Sequence, residues 1–422
     1  VVRIAAATLI AVCALTACAA GGTAGGAPSP KSTAPSPSIT NSPSSSPSAT
    51  PSPAGGPFTT QLTCGRPVTA THGLALYELA TTPPILEVLD VSNPLKPALL
   101  CLLSPAQGGN FGQAPNQVVF WIGDQLGSAD LSSGKVVQTA RLPAPAFEGV
   151  YSRDGTTFAY RAAIDPAGSI STRIDGAGYD RELYLQPPIG GHGGPPPGRG
   201  PFDQLAFSAD GKELLDYNEF KPASGLAKFL VYRVFGILGS YAPPDSFILI
   251  QSTWAEFGSW SPTGHTLYFY GPGPSPSAGQ LYSLDGTGNV QTVATGLSSL
   301  FWARVAPTGS SIIYDSYVGP PADACGGLPH LWTFDLATHV AAQLSAGISS
   351  EPVFVTRTVA WSNEEKAGQC GPGGESYPDG VILAHDTSTG RASVVNMDAI
   401  IPGIGGPALP PPTTASVLDA WF

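Results

Sequence analysis

The chain has 422 residues, of which 42% are hydrophobic and only 12% charged, and it carries a formal net charge of −11. An acidic balance without any Lys/Arg cluster excludes nucleic acid and anionic membrane surfaces as partners of the folded part. The length exceeds one ordinary single-core domain, so it implies two domains or a repeat architecture.

In chain order, "VVRIAAATLIAVCALTAC" opens with one basic residue, Arg3, followed by an apolar run from Ile4 to Ala14. That run is too short to span a bilayer and ends in small residues, which predicts a secretory signal over residues 1–17. Leu15-Thr16-Ala17-Cys18 resembles a bacterial lipobox. The resemblance implies cleavage before Cys18, acylation of its thiol and an extracytoplasmic protein anchored to the cell membrane, since two or three acyl chains hold a protein firmly. Residues 18–57 then form a tether of Ala, Gly, Pro, Ser and Thr, as in "KSTAPSPSITNSPSSSPSATPSP", with nothing from which to build a core. At about 3 Å per residue, a proline-rich tether of this length reaches on the order of 100 Å.

Residues 58–422 are expected to be ordered and all-β. "WSPTGHTLYFY" (260–270) has relatives in "YSRDGTTFAYR" (151–161), "FSADGKELLDY" (207–217) and "VAPTGSSIIYD" (305–315), with weaker ones at 111–121 and 353–361. Each is an apolar residue, a short turn and an alternating strand, the signature of a β-hairpin whose glycine supplies positive φ. His265 therefore sits in or just after a turn and is scaffolding. A second hairpin motif alternates with the first, its register marked by Asp90, Asp130, Asp285, Asp335 and Asp386. "RELYLQPP" (181–188) and "KFLVYRVFGILGSYA" (228–242) supply the two hairpins missing from that series.

Two hairpins per repeat of about 40 to 56 residues make a four-stranded antiparallel unit, and stacking such units radially gives a β-propeller. The second hairpins number seven and the first five or six, so the expectation is seven blades, with six allowed. The first hairpins resemble the WD40-like repeats of TolB-type propellers, and "LEVLDVSNPLKPALL" (86–100) resembles the LVIVD-type repeat of bacterial surface propellers. "SVLDAWF" (416–422) is placed to return to the first blade and close the ring.

Cys64, Cys101, Cys325 and Cys370 remain after the signal and Cys18, an even number in an oxidising compartment. Cys325 and Cys370 fall in equivalent loops of neighbouring blades, which predicts their pairing and leaves Cys64 with Cys101. The connections between second and third strands are long, at 162–180, 218–227, 271–279, 317–330 and 362–380. Binding residues favour loops on a rigid scaffold, so this face is the expected working surface. Its candidates are Asn218, Glu219, Tyr317, His330, Glu364, Glu365 and Tyr377.

No catalytic constellation is legible. The histidines lack metal-ligand spacing, no G-x-S-x-G elbow is present, "SSGKVV" (132–137) is a turn, and carboxylate pairs such as Asp216 with Glu219 read as solvated loops. No cofactor or metal is expected. The sequence points to a surface-anchored propeller that binds a protein or envelope polymer. The alternative is a propeller enzyme, or a carbohydrate- or small-ligand-binding protein, working through the central channel.

Overall fold

Second strands such as "QVVFWI" are apolar without alternation because sheets cover both of their faces, whereas outermost strands such as "KVVQTAR" face solvent and carry charge. The computed structural model describes residues 57–79, 81–163, 170–176, 179–186, 204–218, 227–233, 247–252, 256–272, 279–297, 300–317, 329–344, 349–370, 376–396 and 417–421. They belong to one unit, Ser52–Phe422.

Every sheet is antiparallel. The first holds β1 (Gln61–Cys64), β2 (Leu74–Leu79), β3 (Ile85–Asp90) and β4 (Ala98–Ser104). Blade 2 is β5 (Gly108–Phe111), β6 (Gln117–Ile122), β7 (Gln125–Asp130) and β8 (Lys135–Arg141). Blade 3 is β9 (Ala146–Tyr151), β10 (Thr157–Ala163), β11 (Ile170–Gly176) and β12 (Tyr179–Gln186). Blade 4 is β13 (Gln204–Phe207), β14 (Glu213–Asn218), β15 (Ala227–Arg233) and β16 (Phe247–Ser252). Blade 5 is β17 (Glu256–Trp260), β18 (Leu267–Pro272), β19 (Gly279–Leu284) and β20 (Val290–Leu297). Blade 6 is β21 (Phe301–Val305), β22 (Ser311–Tyr317), β23 (Pro329–Asp335) and β24 (Val340–Gln343). Blade 7 is β25 (Ser349–Phe354), β26 (Val359–Cys370), β27 (Ser376–Asp386) and β28 (Arg391–Val394).

The last strand, β29 (Val417–Trp421), returns to the first sheet and pairs with β2, Leu74 opposite Trp421. It is the inner strand of blade 1, while β1 is an added outer strand beyond β4. Among the described residues, six regular four-stranded sheets and this composite five-stranded one make the β-propeller expected from the repeats. Around the axis the inner strands follow one another as β29, β5, β9, β13, β17, β21 and β25. Blade 7 meets blade 1 through Val355, Trp361, Ile382 and Ala384 against Ala75, Tyr77, Leu89 and Val91.

The repeated aspartates have a local cause. Oδ1 of Asp130, Asp285, Asp335 and Asp386 accepts the N–H two residues on at 2.8, 2.9, 3.0 and 2.9 Å, turning the third strand into the fourth. Close sheet packing also selects glycine: a Cβ at Gly127 or Gly149 would lie 2.4 or 2.3 Å from the ring of Phe120 or Phe158.

Three expectations are corrected. The stretch 162–180 contains the strand β11, whose buried Ser171, Thr172 and Ile174 pair across β10. The hairpin expected at 228–242 is a single strand, β15, and its partner β16 comes later, at Phe247–Ser252. Much of 362–380 is strand, because β26 and β27 run on past the blade as a two-stranded extension with Cys370 opposite Ser376. The disulfide Cys64–Cys101 joins β1 to β4 at facing positions. Cys325 lies outside the described residues.

Candidate functional site

The turns between first and second strands all project to one face of the disc, and their sequences explain their shape. In "SRDG", "SADG" and "APTG" the amide of Gly155, Gly211 or Gly309 donates back to the carbonyl of Ser152, Ser208 or Ala306 at 2.8, 2.9 and 2.8 Å. These glycines have φ of 68°, 71° and 73°, where other L-residues are strained. Asp154 fixes its turn further, its Oδ1 accepting Ser152 Oγ at 2.6 Å and Thr156 N at 3.1 Å.

Inside this ring of turns lies a cavity of about 770 Å³ around the axis. Arg153 from the β9–β10 turn, Arg304 from β21 and Arg357 from the β25–β26 turn line it, with Asp419 from β29. Pro262 and Pro307 complete the rim at the corresponding turns of blades 5 and 6. A smaller cavity of about 300 Å³ adjoins through the shared Arg153, lined by Gln113, Asp154 and Asp210.

The axial cavity is electrostatically uneven, its lining holding three arginines and one carboxylic acid. Asp419 Oδ2 accepts the amide of Phe111 on blade 2 at 3.0 Å, so the closing strand is tied to its neighbour through the cavity wall. Burial raises the Asp419 carboxyl to about 6, against the opposing pull of that amide and of the Arg153 charge. Arg304 is half-buried and Nη1 donates to the Ala303 carbonyl at 3.1 Å. Desolvation lowers its pKa below the ordinary guanidinium value, with the charges of Glu351 and Asp315 acting the other way. Those two acids are themselves tied: Glu351 N donates to Asp315 Oδ2 at 3.2 Å, and Asn363 Nδ2 donates to Glu351 Oε2 at 2.8 Å. Glu351 and Trp302 occupy equivalent bulges of adjacent inner strands with φ of 53° and 50°, a device that re-aims side chains at a site.

This cavity opens opposite to the face favoured by the sequence. Asn218, Tyr317 and Glu365 lie at the far ends of second strands, opposite Lys228, Pro329 and Pro378, and Tyr377 lies on β27. His330 is half-buried on β23 opposite Ser316, and Glu364 is half-buried on β26 opposite Ser349. Glu219 is outside the described residues. No two of the described candidates are brought together by strand register. Asp216 is instead accounted for by Arg161, whose Nη2 donates to it at 2.6 Å while Nη1 donates to Glu148 at 2.7 Å. His265 stands just after its turn, as expected, with Nε2 3.2 Å from Asp210 and Nδ1 3.2 Å from Glu213, both on the preceding blade. Among the described residues, no group of three or more His, Cys, Asp or Glu is arranged to hold a metal ion.

Fold and site together define a β-propeller with an axial, cation-lined cavity. No protein-family profile and no curated relative matches the chain. Solved structures share its fold. An oligogalacturonate lyase in complex with manganese is 12% identical with a TM-score of 0.47, covering 78% of this chain and 92% of the other. TolB from Acinetobacter baumannii is 12% identical with a TM-score of 0.39, covering 76% and 79%. An acylaminoacyl peptidase from Pyrococcus horikoshii is 8% identical with a TM-score of 0.48, covering 80% of this chain and 52% of its own. At these identities the likeness extends to the fold.

Proposed function

We propose that the chain is an exported, lipid-anchored propeller that binds a protein or envelope polymer by admitting a segment of it into the axial cavity. The observation that carries this reading is the cavity of about 770 Å³, within the usual range for ligand sites and walled by inner strands of several blades. The described chain enters β1 from the other face, where Thr60 Oγ1 donates to the Pro105 carbonyl. Anchoring rests on the lipobox-like Leu15-Thr16-Ala17-Cys18, and Cys325–Cys370 remains the pairing proposed for the opposite face.

The test is co-sedimentation of the purified full chain with isolated cell envelopes, comparing wild type with a cavity-filling Val353→Trp variant. Binding lost on filling supports the reading. Binding retained by a folded Val353→Trp protein overturns the cavity as the binding site. For anchoring, Cys18→Ser should shift the protein from the membrane fraction to the medium.

One observation favours a second reading, chemistry in the same cavity. A carboxyl raised to about 6 beside guanidinium groups is a suitable general acid or base near neutral pH. Under that reading Asp419→Asn abolishes turnover of a bound ligand while leaving its binding intact.

A further inference from the structure

Backbone strain is concentrated on the two adjacent blades that supply Arg304 and Arg357. Among the described residues, three other than glycine have positive φ, and two of them are Trp302 on β21 and Glu351 on β25. Each sits in a bulge where two residues oppose one: Trp302 and Ala303 against Tyr314, Glu351 and Pro352 against Ser362. Pairing resumes at Arg304 opposite Ile313 and at Val353 opposite Trp361, and both of these residues line the axial cavity. Arg357 joins that lining from the β25–β26 turn. Left-handed backbone is costly for residues other than glycine and gathers at ligand sites, where bulges re-aim side chains.

The charge on these two blades is not consumed by the fold. Arg357 is exposed and makes no ion pair or hydrogen bond among the described residues. Arg304 makes one hydrogen bond, to the Ala303 carbonyl. Glu351 and Asp315 act on it from outside the cavity lining, yet desolvation outweighs them and its pKa stays below the ordinary guanidinium value. An anion in the cavity supplies the missing compensation, and the planar fork of a guanidinium suits the two oxygens of a carboxylate or phosphate. Arg153 is different. It has partners within the fold, shares the smaller cavity with Asp154 and Asp210, and its charge acts on Asp419. The rest of the axial lining includes apolar Val305, Val353, Phe354 and Leu418.

We infer that the axial cavity binds an amphiphilic monoanion, its single carboxylate or phosphate held by Arg304 and Arg357 and its apolar body against Val305, Val353 and Phe354. This rests on the proposal that the cavity is the binding site and names the chemical class of the segment admitted. One acidic group meets uncompensated positive charge, whereas a second meets Asp419 and an arginine already engaged.

The test is titration calorimetry of the full chain at low salt with hexanoate, hexyl phosphate, the neutral hexanamide and the diacid adipate. The better of hexanoate and hexyl phosphate should bind at least about 10-fold more tightly than hexanamide, as charge-assisted hydrogen bonds require. That preference should shrink as salt rises. Hexanoate against hexyl phosphate decides which acid is preferred, and adipate should bind no more tightly than hexanoate. Arg357→Ala should reduce the better probe to about the hexanamide level with the melting temperature unchanged, since Arg357 makes no hydrogen bond or ion pair within the fold. No binding of any probe, equal binding of hexanamide, tighter binding of adipate, or full affinity in Arg357→Ala overturns the inference. If Arg357→Ala co-sediments with envelopes as wild type does and Val353→Trp does not, the inference fails and the cavity reading survives. If Val353→Trp co-sediments as well, both fail.

Discussion

Two seams of the ring are sealed in opposite ways. Between blades 3 and 4, Arg161 is only 2% exposed and bridges Glu148 of its own blade to Asp216 of the next, at 2.7 and 2.6 Å. The apolar cluster beside it is small, built on Ala159, Ile174 and Leu214. Between blades 7 and 1 the contact is a broad apolar one, with Trp361 buried and its Nε1 donating to the Pro94 carbonyl at 3.1 Å. The comparison shows that radial stacking sets the geometry without setting the chemistry. An ionic seam fixes which partners face each other, and an apolar seam supplies stability through area.

The largest effect expected from breaking this comparison is at the ionic seam. Arg161→Ala strands two buried carboxylates and should cost about 4 kcal/mol, read by urea unfolding. Replacing Arg161, Glu148 and Asp216 together with apolar residues should recover most of that loss, because a buried triad contributes little over good packing. A loss in the triple variant as large as in Arg161→Ala would mean that the charges themselves stabilise the ring.

A second effect concerns pH and two buried groups of blades 1 and 7. Burial raises Glu87 on β3 to about 7, and burial lowers His385 on β27, whose Nε2 is 2.8 Å from Ser362 Oγ, to about 4. Because Glu87 holds its proton more tightly when folded, its contribution is full below the ordinary value of 4.5 and is lost as pH rises through 7. His385 works the other way: its contribution is present above 6.5 and is lost as pH falls through 4. The two slopes oppose each other between these limits. Glu87→Gln removes one of them, so unfolding free energy should then rise with pH from 4 to 6.5, and the variant should gain about 3 kcal/mol over wild type at pH 8. A wild-type gap that does not widen with pH would refute the assignment.

Smaller changes sharpen the apolar side. Trp361→Phe loses ring volume and the bond to Pro94 and should cost about 2 kcal/mol in the same unfolding assay. Removing the Cys64–Cys101 bond with a double serine variant should cost only about 1 kcal/mol, below the usual disulfide value. β1 is an addition to a blade already complete in β29, β2, β3 and β4.

Legibility in the sequence followed the range of the interactions. The turn glycines and the Asp130, Asp285, Asp335 and Asp386 series could be read because each is fixed by bonds within about four residues. The third strand of blade 3 and the fourth of blade 4 were misplaced because connection length is set by nothing local, and "ISTRIDG" earns its pairing only from the neighbours in β10 and β12. The cavity was missed because each contributing blade offers it one charged residue at most, Arg153, Arg304, Arg357 or Asp419. Aligning the turns shows Arg153 where Ala209, Pro262 and Pro307 stand, and Arg357 at the next position on blade 7. A single odd arginine in a column becomes a site only when the blades are set in a circle.

The return of β29 to the first sheet also has a kinetic side. Its contacts are among the most distant in sequence, Phe111 with Asp419 being 308 residues apart, so the entropy of closing the longest loop must be met by the final strand. Every intermediate before that event exposes the unpaired edge of β2, whose Leu74, Ala75, Leu76 and Tyr77 are buried in the finished ring. An unpaired apolar edge is a template for aggregation, so pairing with β29 protects the chain as well as closing the ring.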